Sequence, residues 1–433
     1  MGRHAEMLER HQRVLPSWLA LYYDEPMSLV DGEGRHVVDA EGNRYLDLFA
    51  GILTTMVGYN VPEVVDAIRD QAGRMVHTST LYLNEHQIAL AEKIADMSGI
   101  PDAKVFFVAS GTEANEAALL MATSTRRSNQ ILALRNSYHG RTFAAMSITG
   151  NRAWSASSLN PLNVSWIASG SRLRSPLAHL DDEAYLAAAA TDLREVLATT
   201  TAGDVACLIA EPIQGVGGFT IPPDGYLKAL KDVCDEHGIL FISDEVQTGW
   251  GRTGDHLWGH QAHGVAPDLM TFAKGLGNGL AIAGVVGRAE IVDSLPANSI
   301  STFGGNHLSA RGALATLEVL ERDDLQGNAA KQGQRLLSEL MAVGDDLDHV
   351  IDVRGRGLMI GVEFGDPGTL APRPDLANAA LGIAREQGVL IGKGGLYGNV
   401  LRIAPPLSIT DEETDEAARA LSETLRRTEQ SAG

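Results

Sequence analysis

The sequence has only two cysteines, Cys207 and Cys234, among 433 residues. A pair this sparse indicates no disulfide framework and favours a reducing compartment. No apolar run approaches the roughly 18 residues that a membrane-spanning helix needs. The first residues, 1–6, also lack the apolar core of a signal peptide. We therefore expect a soluble, cytoplasmic protein with no membrane partner.

Positive charge is scarce as well. The chain has 35 basic and 55 acidic residues, which gives a formal net charge of −20. This balance argues against a nucleic-acid partner or an anionic membrane surface, because both need clustered positive charge. It leaves room for a local basic site that binds a small anion.

The middle of the chain alternates between strand and helix patterns. Buried strands are predicted over 105–108, 131–134, 205–209 and 239–242, with helices over 113–122 and 224–237. Gly238 is placed to cap the second of these helices. This succession indicates parallel βαβ units with right-handed crossovers, and hence an α/β fold with a mostly parallel central sheet flanked by helices.

The two ends of the chain predict a second, smaller α+β domain. Residues 1–25 suggest a helix and a loose lead-in, followed by short antiparallel strands over 37–48 and helices over 64–75 and 87–97. The C-terminal part predicts strands over 358–362, 388–391 and 401–403 and a last helix over 411–425. In the middle of the chain, residues 151–200 predict only loop material and a helix near 181–198. We predict that segment 1–60 joins a small C-terminal domain, 319–433, beside a large domain, 61–318.

A lysine followed by glycines is the central feature of the sequence. Lys274 ends the apolar stretch that begins at Asp268, and Gly275, Gly277 and Gly279 follow it. A lysine in apolar surroundings loses proton affinity and becomes a usable nucleophile or base, and glycines allow a ligand to approach the backbone. The alternative is a surface lysine at a turn.

Several polar residues follow the predicted parallel strands. Asp244 and Glu211 come at the ends of two strands, and Tyr138 and His139 follow a third. The carboxyl ends of parallel strands share one edge of the sheet, where open α/β sheets bind ligands. The alternatives are helix caps, ion pairs and a core tyrosine.

Two further groups can bind anions. Ser110, Gly111 and Thr112 follow a strand and open a helix, which suits a phosphate, although Ser110 with Glu113 also forms a capping box. Arg402 lies in an apolar strand that ends at two prolines. Its planar fork can bind a carboxylate, or it can form a structural ion pair.

A group of histidines and two Gly-x-Gly motifs lack the features that a metal site or a dinucleotide site requires. His256, His260 and His263 are spaced like metal ligands, but there is no HExxH pattern and no accompanying acid is evident, so no metal site is predicted. Gly275-x-Gly277 and Gly355-x-Gly357 both lack the third glycine of a dinucleotide fingerprint. We therefore exclude a nicotinamide enzyme.

Taken together, these motifs resemble the class III aminotransferases, pyridoxal 5′-phosphate (PLP) enzymes of fold type I. Within that family they are most similar to the alanine–glyoxylate aminotransferase 2-like branch. The resemblance runs from about Tyr45 to the end of the chain. The motifs that carry it are Ser110-Gly-Thr-Glu-Ala-Asn115, Tyr138-His-Gly140, Glu211-Pro-Ile-Gln214, Asp244-Glu-Val-Gln-Thr-Gly-Trp-Gly-Arg-Thr-Gly254, Pro267-Asp268, Ala273-Lys-Gly275, Thr302-Phe-Gly-Gly-Asn306 and Arg354-Gly-Arg-Gly-Leu358.

The resemblance implies a role for each site residue. Lys274 would carry the Schiff base, and Asp244 would keep the pyridine nitrogen protonated. Arg402 would bind a substrate carboxylate, and the site would form at a homodimer interface or in a dimer of dimers. The remaining implied cofactor contacts are Ser110, Gly111 and Thr112 at the phosphate, Tyr138 and Val246 on the ring faces, Gln247 with Glu211 near the ring hydroxyl, His139, and Thr302 from the partner subunit.

The implied reaction is transamination between an amino acid or amine, with a β- or ω-amino group among the options, and a keto acid such as pyruvate, glyoxylate or 2-oxoglutarate. Three places depart from the family pattern: Tyr59-Asn60, His307, and Val216, where ornithine- and 4-aminobutyrate-type members carry a glutamate. These departures leave the amino donor open. The alternatives are an ornithine- or 4-aminobutyrate-type enzyme, another PLP reaction (decarboxylation-dependent transamination, an amine shift or racemisation), and a non-enzymatic cofactor-binding protein.

Overall fold

The computed structural model describes residues 3–432. Met1, Gly2 and Gly433, which belong to the predicted terminal segments, lie outside the described residues. The helices are α1 Arg3–Val14, α2 Ala50–Leu53, α3 Pro62–Arg74, α4 Glu85–Ser98, α5 Gly111–Arg126, α6 Phe143–Ser147, α7 Asp182–Thr200, α8 Tyr226–Glu236, α9 Ala289–Val292, α10 His307–Arg322, α11 Leu325–Gly344, α12 Pro374–Glu386 and α13 Asp411–Gln430.

Strands from all parts of the chain build three sheets. The strands are β1 Leu29–Glu33, β2 His36–Asp39, β3 Arg44–Asp47, β4 Ala103–Val108, β5 Gln130–Leu134, β6 Asn163–Ile167, β7 Cys207–Ala210, β8 Leu240–Asp244, β9 Leu269–Phe272, β10 Ala283–Arg288, β11 Val350–Arg356, β12 Met359–Phe364, β13 Val389–Leu390, β14 Gly392–Gly394 and β15 Val400–Ile403. Short 3₁₀ turns lie at Arg152–Trp154, Gly259–His263 and Lys274–Gly277.

The large sheet has seven strands in the order β4-β10-β9-β8-β7-β5-β6. Strand β10 runs antiparallel to both of its neighbours, and the other six strands share one direction. Strands β5, β7, β8 and β9 are buried at every position, as expected for parallel strands covered on both faces. Helix α5 packs on one face and helices α7 and α8 on the other. The predicted mostly parallel sheet is confirmed.

The N-terminal strands pair with the C-terminal part of the chain. Strands β1, β2 and β3 form an antiparallel meander, and β13 adds to β3 in parallel. A third, antiparallel sheet has the order β11-β12-β15-β14, and it packs against α11 and α12. The predicted domain limits at 60/61 and 318/319 stay a prediction, and the second of them falls inside α10.

Most of the predicted elements are present, but several strands were missed, among them β6 and β10 of the large sheet. Strand β6 lies in the 151–200 region, where only loops and one helix were expected. Strand β10, with sequence Ala-Gly-Val-Val-Gly-Arg, contains two glycines that bring it close to its neighbours. A Cβ at Gly284 would lie 2.5 Å from the carbonyl oxygen of Phe106, so the glycines that hid this strand in the sequence are needed for its pairing.

Candidate active site

One cavity lies at the carboxyl edge of the large sheet. It measures about 260 Å³ and is reached by segments that follow β4, β5, β7, β8 and β9. Ten of the twelve predicted site residues line it: Ser110, Gly111, Thr112, Tyr138, His139, Glu211, Asp244, Val246, Gln247 and Lys274. The two that do not are Thr302 and Arg402. The parallel topology therefore brings residues from distant parts of the chain to one edge, as predicted.

Asp244 is the last residue of β8 and is held by three donors. Its Oδ2 accepts hydrogen bonds from His139 Nδ1 at 2.7 Å and Asn115 Nδ2 at 2.8 Å, and its Oδ1 accepts from the Val246 N–H at 3.1 Å. Thr271 Oγ1 donates to Asn115 Oδ1 at 2.8 Å and fixes the orientation of that amide. The carboxylate of Asp244 is therefore buried and held in one orientation by three hydrogen-bond donors.

Lys274 lies in the wall of the same cavity, two residues after the end of β9. Burial and, to a smaller extent, the nearby charge of Arg402 lower the pKa of Lys274 from 10.5 to about 8, although Asp244 and Glu211 act in the opposite direction. The backbone here is left-handed, with φ of +43° at Lys274. The side chain is therefore a weakly basic amine set at a tight turn, as the sequence predicted.

The start of helix α5 forms the anion-binding end of the cavity. Ser110 caps the helix, since its Oγ accepts the Glu113 N–H, but the Glu113 carboxylate accepts the Ala109 N–H at 2.7 Å instead of that of Ser110, so the predicted capping box is only half formed. Thr112 Oγ1 accepts the N–H groups of Arg141 at 3.0 Å and Thr142 at 3.1 Å. A Cβ at Gly111 would lie 3.2 Å from Val246 Cγ1, so a glycine here keeps the helix terminus open to a ligand.

Glu211 connects the two sides of the cavity. Its Oε1 accepts the Tyr138 N–H and its Oε2 accepts the Gly215 N–H, each at 2.9 Å. Burial raises the pKa of Glu211 to about 7, although His139 lowers it. Gln247 packs against Gly215, and its buried Oε1 has no hydrogen-bond partner in the described chain. An unpaired buried acceptor beside a cavity suits a ligand hydroxyl.

Arg402 lies next to the cavity without lining it. The side chain is 2% exposed, and it donates to Lys393 O at 3.1 Å, Gly215 O at 3.2 Å and the Tyr22 hydroxyl at 3.2 Å. Its guanidinium lies 4.9 Å from the ring centre of Phe49. Among residues 3–432 no carboxylate lies within 4.0 Å of it, and a guanidinium has five N–H groups. The alternative of a structural ion pair is wrong for this residue, because its three partners are neutral oxygens.

Thr302 is exposed and lies outside the cavity. Its neighbours Ile300 and Phe303 are 49% and 62% exposed. The role predicted for Thr302 requires a second subunit, so it stays a prediction.

The histidine group does not form a metal site in the described part of the chain. His260 Nδ1 lies 2.8 Å from Glu245 Oε1, and burial lowers the pKa of His263 to about 4. No cluster of three or more metal-ligating side chains occurs among residues 3–432. Within the same residues, no helix is both long enough and apolar enough to cross a bilayer.

Sequence reasoning missed several residues of the site, Asn115 and Arg141 among them. Asn115 was part of a quoted motif, but its contact with Asp244 bridges 129 positions of the chain and has no local signal. Arg141 lines the cavity mouth, with its guanidinium 5.9 Å from the ring centre of Trp18. Its position directly after Gly140, at the edge of the sheet, was a usable signal.

Comparison with known proteins identifies the family. The model of the class-III aminotransferases matches residues 22–425. The chain belongs to the class III aminotransferases. Its fold is therefore that of the fold type I PLP-dependent transferases, as the motifs predicted, and its cofactor is PLP.

Relatives of this class III chain carry more than one activity in their names. It is 40% identical to alanine–glyoxylate aminotransferase 2 homolog 2, mitochondrial, of Arabidopsis thaliana, over 97% of this chain and 87% of that protein. It is 37% identical to a leucine/methionine racemase of Thermococcus litoralis, over 99% and 97%. A PLP-bound amine transaminase from an uncultivated Pseudomonas species has a TM-score of 0.89 at 31% identity, over 96% and 98% of the two chains.

The cavity residues fit PLP. The start of α5 suits the phosphate, the unpaired Gln247 Oε1 suits a ring hydroxyl, and buried Asp244 suits a protonated ring nitrogen. Lys274 supplies the amine that the cofactor aldehyde needs. When bound, PLP supplies an electron-withdrawing ring that stabilises negative charge at the Cα of an attached amine.

Proposed function

We propose that this aminotransferase takes its amino group from a donor that bears a carboxylate and passes it to a small keto acid such as pyruvate, glyoxylate or 2-oxoglutarate. The observation that carries the proposal is the position of Arg402. It lies close enough to lower the pKa of Lys274, and no carboxylate within the described residues neutralises it. A buried cation beside the reacting amine suits a substrate carboxylate.

Lys274 is the base in this proposal. With a pKa of about 8, roughly a tenth of the free amine is neutral at pH 7. The neutral Nζ would take the proton from the Cα of the donor and deliver it to the cofactor carbon on the other side of the imine nitrogen. Its pKa lies near the working pH, where proton transfer in both directions is efficient.

In this proposal Asp244 keeps the cofactor ring electron-withdrawing. Its carboxylate lines the cavity at the end of β8, where it would hold the ring nitrogen of the cofactor and favour the protonated ring. His139 and Asn115 hold the carboxylate in one orientation. Glu211 keeps the Tyr138 and Gly215 segments at a fixed separation across the cavity.

The surroundings of Arg402 favour a donor whose amino group is close to its carboxylate over the ornithine or 4-aminobutyrate type, in which the reacting amine lies farther from the carboxylate. Members of that type place a glutamate where this chain has Val216, by the resemblance described above. Val216 is buried, and its carbonyl oxygen accepts the Gly395 N–H at 2.9 Å. The arginine therefore has no internal carboxylate to displace before a substrate binds.

A panel of amines added to the purified holoenzyme tests the proposal. Amino acids should convert the cofactor to its pyridoxamine form, with a strong preference over amines that lack a carboxylate. Restoration by a keto acid should identify the acceptor. Equal conversion by carboxylate-free amines would contradict the role of Arg402, and the Lys274→Ala variant should fold but convert none of the donors.

Racemisation is the second candidate, because the leucine/methionine racemase is 37% identical to this chain. The two reactions differ in their need for a keto acid. Incubating an L-amino acid with holoenzyme alone distinguishes them. Catalytic formation of the D-enantiomer without keto acid would favour racemisation, whereas a single turnover that stops until keto acid is added would favour transamination.

We also propose that the protein acts as a homodimer. Leu81, Tyr82 and Leu83 are 70%, 70% and 92% exposed. They adjoin Phe303, since nearby Asn84 donates to Gly305 O at 3.0 Å and His77 stacks on Phe303. We call Leu81–Leu83 with Phe303 the apolar face. An exposed apolar cluster beside Thr302 supports the predicted partner contact.

A further inference from the structure

Arg252 is buried without a carboxylate partner. The residue is 2% exposed, and burial lowers its pKa to about 9. Among residues 3–432, no carboxylate lies within 4.0 Å of it, and its Nη2 has no hydrogen-bond partner. Desolvating an unpaired charge is unfavourable, and an apolar side chain of similar volume often fills such a place with equal or better stability. The guanidinium therefore needs an explanation other than stability.

The partners of Arg252 are carbonyl oxygens at the ends of two strands. Its Nη1 donates to Pro405 O at 2.5 Å and to Leu358 O at 3.4 Å. Leu358 immediately precedes β12 and Pro405 follows β15, and these two positions continue the β12/β15 register in which Gly361 pairs with Arg402. The Leu358 N–H also donates to the Arg252 carbonyl at 3.1 Å. Arg252 thus bridges the end of the strand pair that carries Arg402.

The backbone of Arg252 belongs to the other side of the active site. The turn over 249–254 continues from β8, and the Gly249 N–H donates to Glu245 O at 3.0 Å. Glu245 is itself fixed, because it accepts from His260 N at 2.8 Å and from Ser243 Oγ at 3.1 Å. A rigid segment therefore connects Asp244 to Arg252.

We infer that Arg252 is a positioning residue that sets the distance between the Lys274–Asp244 centre and Arg402. It binds the β12/β15 pair three residues from Arg402 while its own backbone is anchored to the segment after Asp244. It acts on carboxylate recognition and not on the chemistry at Lys274. The inference rests on the proposed role of Arg402.

Binding of propionate, a carboxylate without an amino group, tests the inference in the holoenzyme. Calorimetric titration of Arg252→Met should give a dissociation constant at least about tenfold higher than that of the parent, because small misplacement of a positioning group has large effects. The KM of an amino acid donor should rise in parallel. The turnover number and the visible absorbance of the bound cofactor should stay close to those of the parent.

Thr253→Val is the matched control. Thr253 is 1% exposed in the same turn and donates only to His256 O. Its loss disturbs the turn without touching β15, so propionate affinity should not change. An unchanged dissociation constant in Arg252→Met, or equal weakening in Thr253→Val, would overturn the inference.

Two further variants complete the test. If Arg252→Met does not fold, Arg252→Lys decides the matter, because lysine keeps the charge but carries its ammonium on a side chain one bond shorter than the one that brings Nη1 to Pro405 O and Leu358 O. It should weaken propionate binding by a smaller factor, and unchanged binding would overturn the inference. Arg402→Met tests the proposed role of Arg402 separately from the inferred role of Arg252. If Arg402→Met binds propionate as tightly as the parent, the proposed role of Arg402 is refuted. If Arg402→Met binds propionate more weakly but the Arg252 variants do not, only the role of Arg252 is refuted.

Discussion

His139 Nδ1 lies 2.7 Å from Asp244 Oδ2, and both side chains are buried. Since an ionised carboxylate only accepts, the imidazole donates through Nδ1, and this fixes its tautomer. A hydrogen bond to a charged group contributes about 1.5–3 kcal/mol. His139→Ala should therefore lower kcat by about 10- to 100-fold while the cofactor stays bound. Steady-state kinetics measure this, with His237→Ala on the surface as the control that should behave as the parent.

The reactivity of Lys274 should depend on pH near neutrality. Only the neutral amine attacks an aldehyde, so covalent uptake of PLP by cofactor-free protein should accelerate as pH rises and level off above a midpoint of about 8. Arg402→Met should move the midpoint to higher pH, because the cation that lowers the pKa of Lys274 is removed. Stopped-flow absorbance across a pH series gives the midpoint, and a value near 10.5 in the parent would contradict the buried site.

Arg402→Met should discriminate between donors. Loss of a charge-assisted contact to the substrate carboxylate should lower kcat/KM for amino acids by about 10- to 100-fold. Amines without a carboxylate should lose much less. Competing donors in one assay measure the ratio directly. Arg385→Met removes a surface ion pair with Glu25 instead, and a similar change of preference in that variant would rule out a specific role for Arg402.

The edge of the large sheet could be predicted from sequence because its signals are local. A buried strand followed by Asp244 or Glu211, and a lysine followed by glycines, are patterns within a few residues. The partners of these side chains are not local. Asn115 reaches Asp244 across 129 positions, and Arg402 depends on Tyr22, far along the chain. Such contacts are set by tertiary packing, which the strand and helix periodicity of a sequence does not predict.

Missed elements have a similar explanation. Strand β10 is the antiparallel member of its sheet and contains Gly284 and Gly287, which weaken the strand signal in sequence. The structure needs both glycines, because a Cβ at either would overlap a neighbouring strand. The rule that favours β-branched residues in strands fails where backbones approach this closely.

Disrupting the apolar face should separate subunits and impair the site. Leu83→Asp introduces a charge at a side chain that is 92% exposed in one subunit. If this face meets a partner, the charge is buried without a counterion, and the variant should sediment as a monomer and bind PLP more weakly. Met341→Asp, at an exposed position on α11, is the control. A dimeric Leu83→Asp protein with parental PLP affinity would contradict the proposed interface.

The proposed function depends on a covalent bond between Lys274 and the cofactor. Borohydride reduction of the holoenzyme, followed by proteolysis and mass spectrometry, tests it most directly. We expect a single pyridoxyl adduct on the peptide that contains Lys274, and none in Lys274→Ala. An adduct on another lysine, or none in the parent, would contradict it.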